Sequence, residues 1–182
     1  MTHLLLDRIK AIVQNTAGAD DWFYHIEPVA RYALELAQHL HADTETVVLS
    51  AYLHDIGRQI EGGDDGTHHV LGEARARSLL QEQGADPDLI ARVCLCILRH
   101  RASGEHQPQT LEEKIIANAD AMSHFDMIPL LFYWRAPEMS YEEVMHWVQK
   151  KLRRDWEEKM TLPEARNMIQ SRYEVAKQLL HF

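Results

Sequence analysis

The feature that most constrains the fold is the helical spacing of apolar residues, which continues through nearly the whole chain. Apolar residues recur at intervals of three and four, and no segment shows the alternation that is typical of a half-buried strand. With 182 residues, 46% of them hydrophobic, this pattern predicts one all-α domain, 1–182, whose core needs no disulfide or structural zinc. The sequence contains no internal repeat and no change of composition that would divide the chain.

Capping residues, glycines and prolines predict where the helices begin and end. The predicted helices cover about 3–14, 20–41, 43–55, 67–83, 87–100, 110–129, 140–160 and 162–181. Asp20 or Asp21 is a suitable N-cap for the second helix. Thr110 and Glu113 have the spacing of a capping box, and Pro129 is expected to end or kink the sixth helix.

Charge and apolar runs exclude several classes of partner. A formal net charge of −9 argues against a nucleic-acid-binding surface, although a bound metal ion still permits anionic small substrates. Charged residues interrupt the N-terminal MTHLLLDRIK, so we expect no signal peptide, and the run MIPLLFYW is too short to span a membrane. Cys94 and Cys96 do not share a helical face, which predicts reduced thiols. We therefore expect a cytoplasmic protein with neither a nucleic-acid polymer nor a membrane as partner.

Three predicted helices each direct a metal-capable side chain towards the core. His25 is in helical register with the apolar residues Val29, Tyr32, Leu36 and Leu40. His54 continues the row of Val47 and Ala51 in the next helix. Asp120 follows Ile116 and Ala117 in the sixth helix. Asp55 adds a carboxylate at the end of the third helix. One inward histidine is usually an ordinary core residue, but buried carboxylates are costly unless they are paired or bound to metal. Together the four residues indicate a metal site built from facing helices.

These residues resemble the H…HD…D signature of the HD superfamily of metal-dependent phosphohydrolases. The segment HIEPVARYALELA resembles the opening helix of that fold, and AYLHDIGR resembles its HD helix, with Arg58 where many members have lysine. The resemblance covers about residues 20–130 and implies an HD-type helical bundle, which helices in 140–182 would complete. It also implies that His25, His54, Asp55 and Asp120 bind one divalent metal, with His54 and Asp55 as the catalytic pair.

The resemblance extends to a second metal. Members with two metals place additional histidines where this chain has His68 and His100, and the aspartate of the HD pair then bridges the ions. His69 competes with His68, because adjacent helical residues point about 100° apart, and we prefer His68 for its spacing to Gly72. The histidines expected to be loop, surface or ordinary structural residues are His3, His39, His41, His106, His124, His146 and His181.

The resulting functional prediction is a metal-dependent phosphohydrolase. It would cleave a phosphoester or phosphoanhydride of a small molecule such as a nucleotide, by attack of metal-bound hydroxide. Mixed histidine and carboxylate ligation suits Mn, Fe, Co, Ni or Zn better than Mg, with one or two ions per chain. A dinucleotide polyphosphate hydrolase and a nucleoside monophosphate phosphatase are both open. A nucleotide-binding sensor without turnover and a di-iron oxygenase on the same scaffold are the alternatives.

Other side chains have two interpretations from the sequence. Arg58, Arg99 and Arg101 are candidates to bind the substrate phosphate, or they pair with surface acids. The turn at Asp64 and Asp65 is expected to be solvated rather than to close over the site. In the charge-dense helix near 140–160, Trp147 and Trp156 are expected in the core, with a homodimer interface as the alternative.

Overall fold

The computed structural model describes residues 3–64 and 66–182, without the side chain of His3. The predictions for Asp65 and for the His3 side chain therefore lie outside the described residues. The regular secondary structure of the described chain is helical, without a β-strand, and the all-α prediction is confirmed. The helices are α1 (His3–Thr16), α2 (Ala19–Asp21), α3 (Glu27–His39), α4 (Thr44–Leu53), α5 (Ile56–Gln59), α6 (His68–Glu82), α7 (Pro87–Arg99), α8 (Leu111–Asp126), α9 (Ile128–Arg135), α10 (Tyr141–Arg154) and α11 (Pro163–Leu180). Two π-helical turns, Trp22–Ile26 and Asp155–Lys159, precede α3 and follow α10.

Helix α8 lies at the centre of the bundle. Twelve of its 16 residues are buried, and it packs against α3, α4, α7 and α11. A helix that is covered on all sides is typical of the core of a domain. Its start is fixed by the predicted capping box: Thr110 Oγ accepts from the Glu113 amide at 3.3 Å, and the Glu113 carboxylate accepts from the Thr110 amide. The helix ends at Asp126, and Pro129 lies in the first turn of α9.

The entry into α3 differs from the sequence prediction. Gly18, rather than Asp20 or Asp21, is the N-cap of α2, so the predicted cap was wrong. The chain then passes through the π-helical turn that contains His25 before it becomes an α-helix. Since π turns occur mostly as single turns next to α-helix and are frequent at functional sites, the direction of the His25 side chain depends on a local irregularity of the helix.

The junction between α4 and α5 carries the HD pair. Asp43 caps the start of α4, where its Oδ1 accepts from the amides of Glu45 at 3.1 Å and Thr46 at 3.3 Å. His54 is the C-cap of α4 and Asp55 is the N-cap of α5. Gly57 lies inside α5, where a Cβ atom would come within 2.1 Å of the His68 carbonyl oxygen. The glycine is therefore required by the close approach of α5 to α6.

No helix in the ranges 3–64 and 66–182 is long and apolar enough to cross a membrane.

Substitution of Gly57 by alanine is expected to separate α5 from α6, because the clash is with backbone that cannot rotate away. We expect the free energy of unfolding to fall by about 1–3 kcal/mol, measured by urea denaturation. The control is Gly18→Ala, since a Cβ at Gly18 would meet no atom within 4 Å. Equal losses in the two variants would contradict this role for Gly57.

Candidate metal centre

Six side chains from five parts of the fold converge in two groups of three. The first trio is His25, His54 and Asp120, and the second trio is Asp55, His68 and His100. Within each trio one ligand atom per residue lies within 4.8 Å of the others. All of these residues are buried except Asp55, which is partly exposed. The structure thus brings together every predicted metal ligand.

Asp55 belongs to the second trio but also faces the first, with one carboxylate oxygen directed at the two histidines of each trio. Its Oδ2 is 3.4 Å from His25 Nε2 and 3.6 Å from His54 Nε2. Its Oδ1 is 3.4 Å from His68 Nε2 and 3.7 Å from His100 Nε2. This arrangement has the geometry expected of a carboxylate that bridges two cations.

The four imidazoles are held in one tautomer by their Nδ1 atoms. Each Nδ1 lies within hydrogen-bond distance of an oxygen that can only accept the ring proton. For three rings this oxygen is a backbone carbonyl: that of Ala51 for His54 (2.8 Å), Asp64 for His68 (2.8 Å) and Ile97 for His100 (2.6 Å). For His25 it is Ser123 Oγ at 3.1 Å. Ser123 Oγ donates its own proton to the Asp120 carbonyl, so it accepts from His25. In the neutral rings Nε2 therefore carries the lone pair, as in metal-ligating histidines.

The spacing of these Nε2 atoms tests whether a metal fits. His25 Nε2 and His54 Nε2 are 3.1 Å apart, and His68 Nε2 and His100 Nε2 are 3.2 Å apart. Two unprotonated nitrogens at this distance repel unless a cation lies between them. The donor set of each trio, two imidazoles and one carboxylate, therefore fits a divalent transition metal.

Burial and neighbouring charges keep the ligands in their metal-binding forms. Burial lowers the pKa of three of the imidazoles, those of His54, His68 and His100, which keeps them neutral near pH 7. Burial alone would raise the pKa of Asp55, but its neighbours, first the His54 side chain and also the cationic Arg58 guanidinium, hold that pKa well below its usual range. For Asp120 the opposing effect comes mainly from Lys159, and its pKa is also well below the usual range.

Lys159 is a site residue that the sequence reasoning missed. It is 4% exposed, lies in the second π-helical turn, and its ammonium forms an ion pair with Asp120 Oδ2. Asp120 Oδ1 remains directed at His25, 3.4 Å from its Nε2. The charge-dense stretch around Lys159 has the composition of a solvent-facing surface. No spacing within that stretch distinguishes a lysine that reaches α8 from a solvated one.

The expectation that His124 is a loop or surface histidine is wrong. It is 5% exposed on α8, with its Nε2 3.6 Å from Asp120 Oδ1. Its Nδ1 is 2.9 Å from the Asp155 carboxylate, which is also buried. The available signal was its position four residues after Asp120, on the same face of the helix.

Of the other predicted site residues, some line the cleft of the metal centre and others make contacts away from it. His68, rather than His69, belongs to the second trio, and the His69 ring lies against His106 with 5.3 Å between centroids. Arg58 and Arg101 line the cleft above the two trios. Arg99 instead makes two hydrogen bonds of 2.9 and 3.0 Å to the carboxylate of the buried Glu113, away from the cleft lining.

The tryptophans of the charge-dense segment also differ in their surroundings. Trp156 is half-buried and stacks on Tyr173 with 3.8 Å between ring centroids, which agrees with core packing. Trp147 is half-buried and packs against the core too, and it also lines the cleft. The cleft has a volume of about 470 Å³, within the range that accommodates a small molecule.

Comparison with known proteins identifies the family. Residues 22–124, more than half of the chain, match the model of the HD domain. The chain belongs to the HD domain family. All six residues of the two trios lie within the matched range. Family membership together with the two trios supports binding of divalent metal.

Two curated relatives of this chain are considerably longer proteins. A tRNA (cytidine(56)-2'-O)-methyltransferase of Picrophilus torridus is 30% identical over 132 residues, 64% of this chain and 36% of that protein. Ribonuclease Y of Rubrobacter xylanophilus is 30% identical over 119 residues, 65% of this chain and 21% of that protein. This chain thus spans about a third or less of the length of these relatives.

Solved structures share the fold over the whole chain. Bacillus subtilis YpgQ in complex with ADP superimposes with a TM-score of 0.77 at 22% identity, covering 100% of this chain and 94% of that one. The similarity includes α9 to α11, which lie beyond the matched HD domain range.

Metal analysis tests the two trios. We expect the protein, purified without a histidine tag and dialysed against Mn²⁺, to bind two ions, and His68→Ala to bind one. Asp55→Ala removes the carboxylate that faces the histidines of both trios, so the affinity for each ion should fall by at least about tenfold. His39→Ala, at an exposed position on α3, is the control. One ion in both the wild type and His68→Ala would show that the second trio binds none.

Replacement of Lys159 by methionine tests the buried ion pair. Loss of the ammonium leaves the Asp120 charge without its partner, so the metal-free protein should lose about 3–5 kcal/mol of stability to urea. Added Mn²⁺ should restore part of this loss, because the ion binds the folded state. Lys150→Met, at an exposed position, should change stability by less than about 0.5 kcal/mol. Equal effects of the two substitutions would exclude this role for Lys159.

Proposed function

We propose that this protein is a metal-dependent hydrolase that cleaves a phosphoester or phosphoanhydride bond of a small molecule, with nucleotides as the substrate class. The observation that carries the proposal is the position of Asp55, a member of the second trio that also faces His25 and His54 of the first and that lines the cleft. Membership of the HD domain family supports metal-dependent hydrolysis in general. The relative named Ribonuclease Y supports the same general chemistry.

Metals bound in the trios would lower the pKa of water and polarise a phosphoryl oxygen. The chain's own residues supply the rest of the site. Arg58 lies beside Asp55, with its Nε 3.5 Å from Asp55 Oδ1, and it lines the cleft together with Arg101. A guanidinium presents two donors to phosphate oxygens, so we expect Arg58 and Arg101 to orient the phosphate in the cleft.

The size and lining of the cleft support a small substrate that has an apolar part. Trp134 and Trp147 line the cleft, and the Trp134 indole is fixed by donation to Asp21 Oδ1 at 3.1 Å. An indole face can stack on a nucleobase. The ADP complex of YpgQ, whose fold matches this whole chain, supports a nucleotide. The net charge of −9 disfavours an RNA polymer, despite the relative named Ribonuclease Y.

Activity assays test the proposal directly. Untagged protein loaded with Mn²⁺, Co²⁺ or Ni²⁺ should release phosphate or pyrophosphate from members of a panel of nucleotides and phosphomonoesters. Asp55→Ala should lower the rate by at least about 100-fold, because even the loss of an outer partner of a ligand costs 10- to 100-fold. His39→Ala should retain the wild-type rate.

The assay also separates the alternatives. Unchanged turnover in Asp55→Ala would refute hydrolysis at this centre. Nucleotide binding without product for every metal would instead identify a sensor module. Oxygen uptake by the iron-loaded protein would identify a di-iron oxygenase.

A further inference from the structure

The cleft collects positive charge in a chain that is acidic overall. In the part of the chain that the structure describes, seven of the 19 lysines and arginines line it, whereas only three acidic residues do. Two of those three acids, Asp55 and Asp120, are candidate metal ligands. Since bound metal would make the cleft more positive still, the distribution favours a ligand that carries several negative charges.

Most of this charge does not belong to the metal centre. Arg58, Arg101 and Lys159 adjoin the two trios, and the other four form a second group, here called the α9–α10 wall: Arg135, Lys150, Lys151 and Arg154. The wall residues lie after residue 124, outside the range that matches the HD domain. The six metal ligands are complete without them. The wall is therefore an addition to the metal centre, and it faces the same cleft.

The wall adjoins the first trio through a short series of contacts. Lys151 Nζ is 3.4 Å from Asp155 Oδ2, the oxygen that lies 2.9 Å from His124 Nδ1. The His124 Nε2 in turn is 3.6 Å from Asp120 Oδ1. A ligand bound at the first trio thus has the α9–α10 wall next to it.

Local helix chemistry explains only part of the wall. Basic residues in the last turn of α10 favour the helix dipole, and Arg154 also lies 3.6 Å from Glu158. Arg153 satisfies the same dipole, yet it is exposed and does not line the cleft. Arg135 comes from a different helix and lies over the Trp147 ring at 4.7 Å. Arg135 lies in the last turn of α9 and so also favours the dipole of its own helix, but the dipole does not account for Lys150, nor for the position of all four cations along one cleft from which Arg153 is absent.

We propose that the α9–α10 wall binds the additional phosphates of an oligophosphate, so that the substrate carries a chain of two or more phosphates. This inference rests on the proposed function, because it names the substrate class of the same cleft. One phosphate at the metal centre would already be matched by metal, Arg58 and Arg101. Each further phosphate adds negative charge away from the reacting phosphorus, and lysine and arginine side chains of the wall provide the matching donors. A monophosphate would leave the wall without a ligand.

The experiment compares two charge reversals on the same turn of α10. Lys150→Glu changes an exposed residue of the wall, and Arg153→Glu makes the same change in charge outside the cleft. The metal-loaded full chain is titrated by calorimetry with orthophosphate and with inorganic tripolyphosphate. A metal buffer holds free Mn²⁺ constant, so that chelation by the ligand affects all variants equally. Lys150→Gln serves as a milder second variant.

The wild type should bind tripolyphosphate at least about tenfold more tightly than orthophosphate. Lys150→Glu should weaken tripolyphosphate binding by about five- to tenfold and orthophosphate binding by less than about twofold, with a smaller loss in Lys150→Gln. Arg153→Glu should change each affinity by less than about twofold.

Three results would overturn the inference: equal binding of both phosphates by the wild type, equal losses in Lys150→Glu and Arg153→Glu, or equal losses for both ligands. Failure of the proposed function has a different signature. In that case no phosphoester is hydrolysed by the wild type, whereas the difference between the two phosphates and between the two variants remains.

Discussion

The site depends on the placement of one carboxylate, that of Asp55, among four imidazoles in a largely dehydrated space. A carboxylate in such a space is stable only if positive charge or hydrogen-bond donors surround it. Here each oxygen of Asp55 faces two Nε2 atoms that cannot donate in the neutral rings, because every Nδ1 donates to an oxygen, so the arrangement fits a cation beside each carboxylate oxygen. The other helices hold Asp55 and the four imidazoles at these distances from one another, with α8 in the middle of the bundle.

Much of this arrangement could be predicted from the sequence, because it follows from periodicity. His54 continues an apolar row of α4 and His25 continues one of α3, so their inward direction was evident from the spacing. The capping box at Thr110 and the family signature were equally local signals. His68 was preferred to His69 from its distance to Gly72, and the structure places His68 in the second trio.

The parts that could not be predicted arise from contacts between distant segments. Lys159 reaches Asp120 across 39 positions, and no periodicity in its own charged stretch distinguishes it from a solvated lysine. Arg99 and Arg101 flank His100 symmetrically in the sequence, yet Arg99 meets Glu113 and Arg101 lines the cleft. The close approach at Gly57 likewise depends on how the backbones of α5 and α6 pack together, and the sequence of neither helix alone predicts it.

The two π-helical turns make chain length a determinant of the centre. Each holds one more residue in its turn than an α-helix would, and each supplies a side chain that meets Asp120, namely His25 and Lys159. Deletion of one residue from either turn would let it relax to regular α-helix, and this would redirect the side chains within the turn, including His25 or Lys159, while the flanking helices keep their register. In this chain an insertion or deletion within either turn would therefore displace a side chain that meets Asp120, even if every metal-ligand residue were retained.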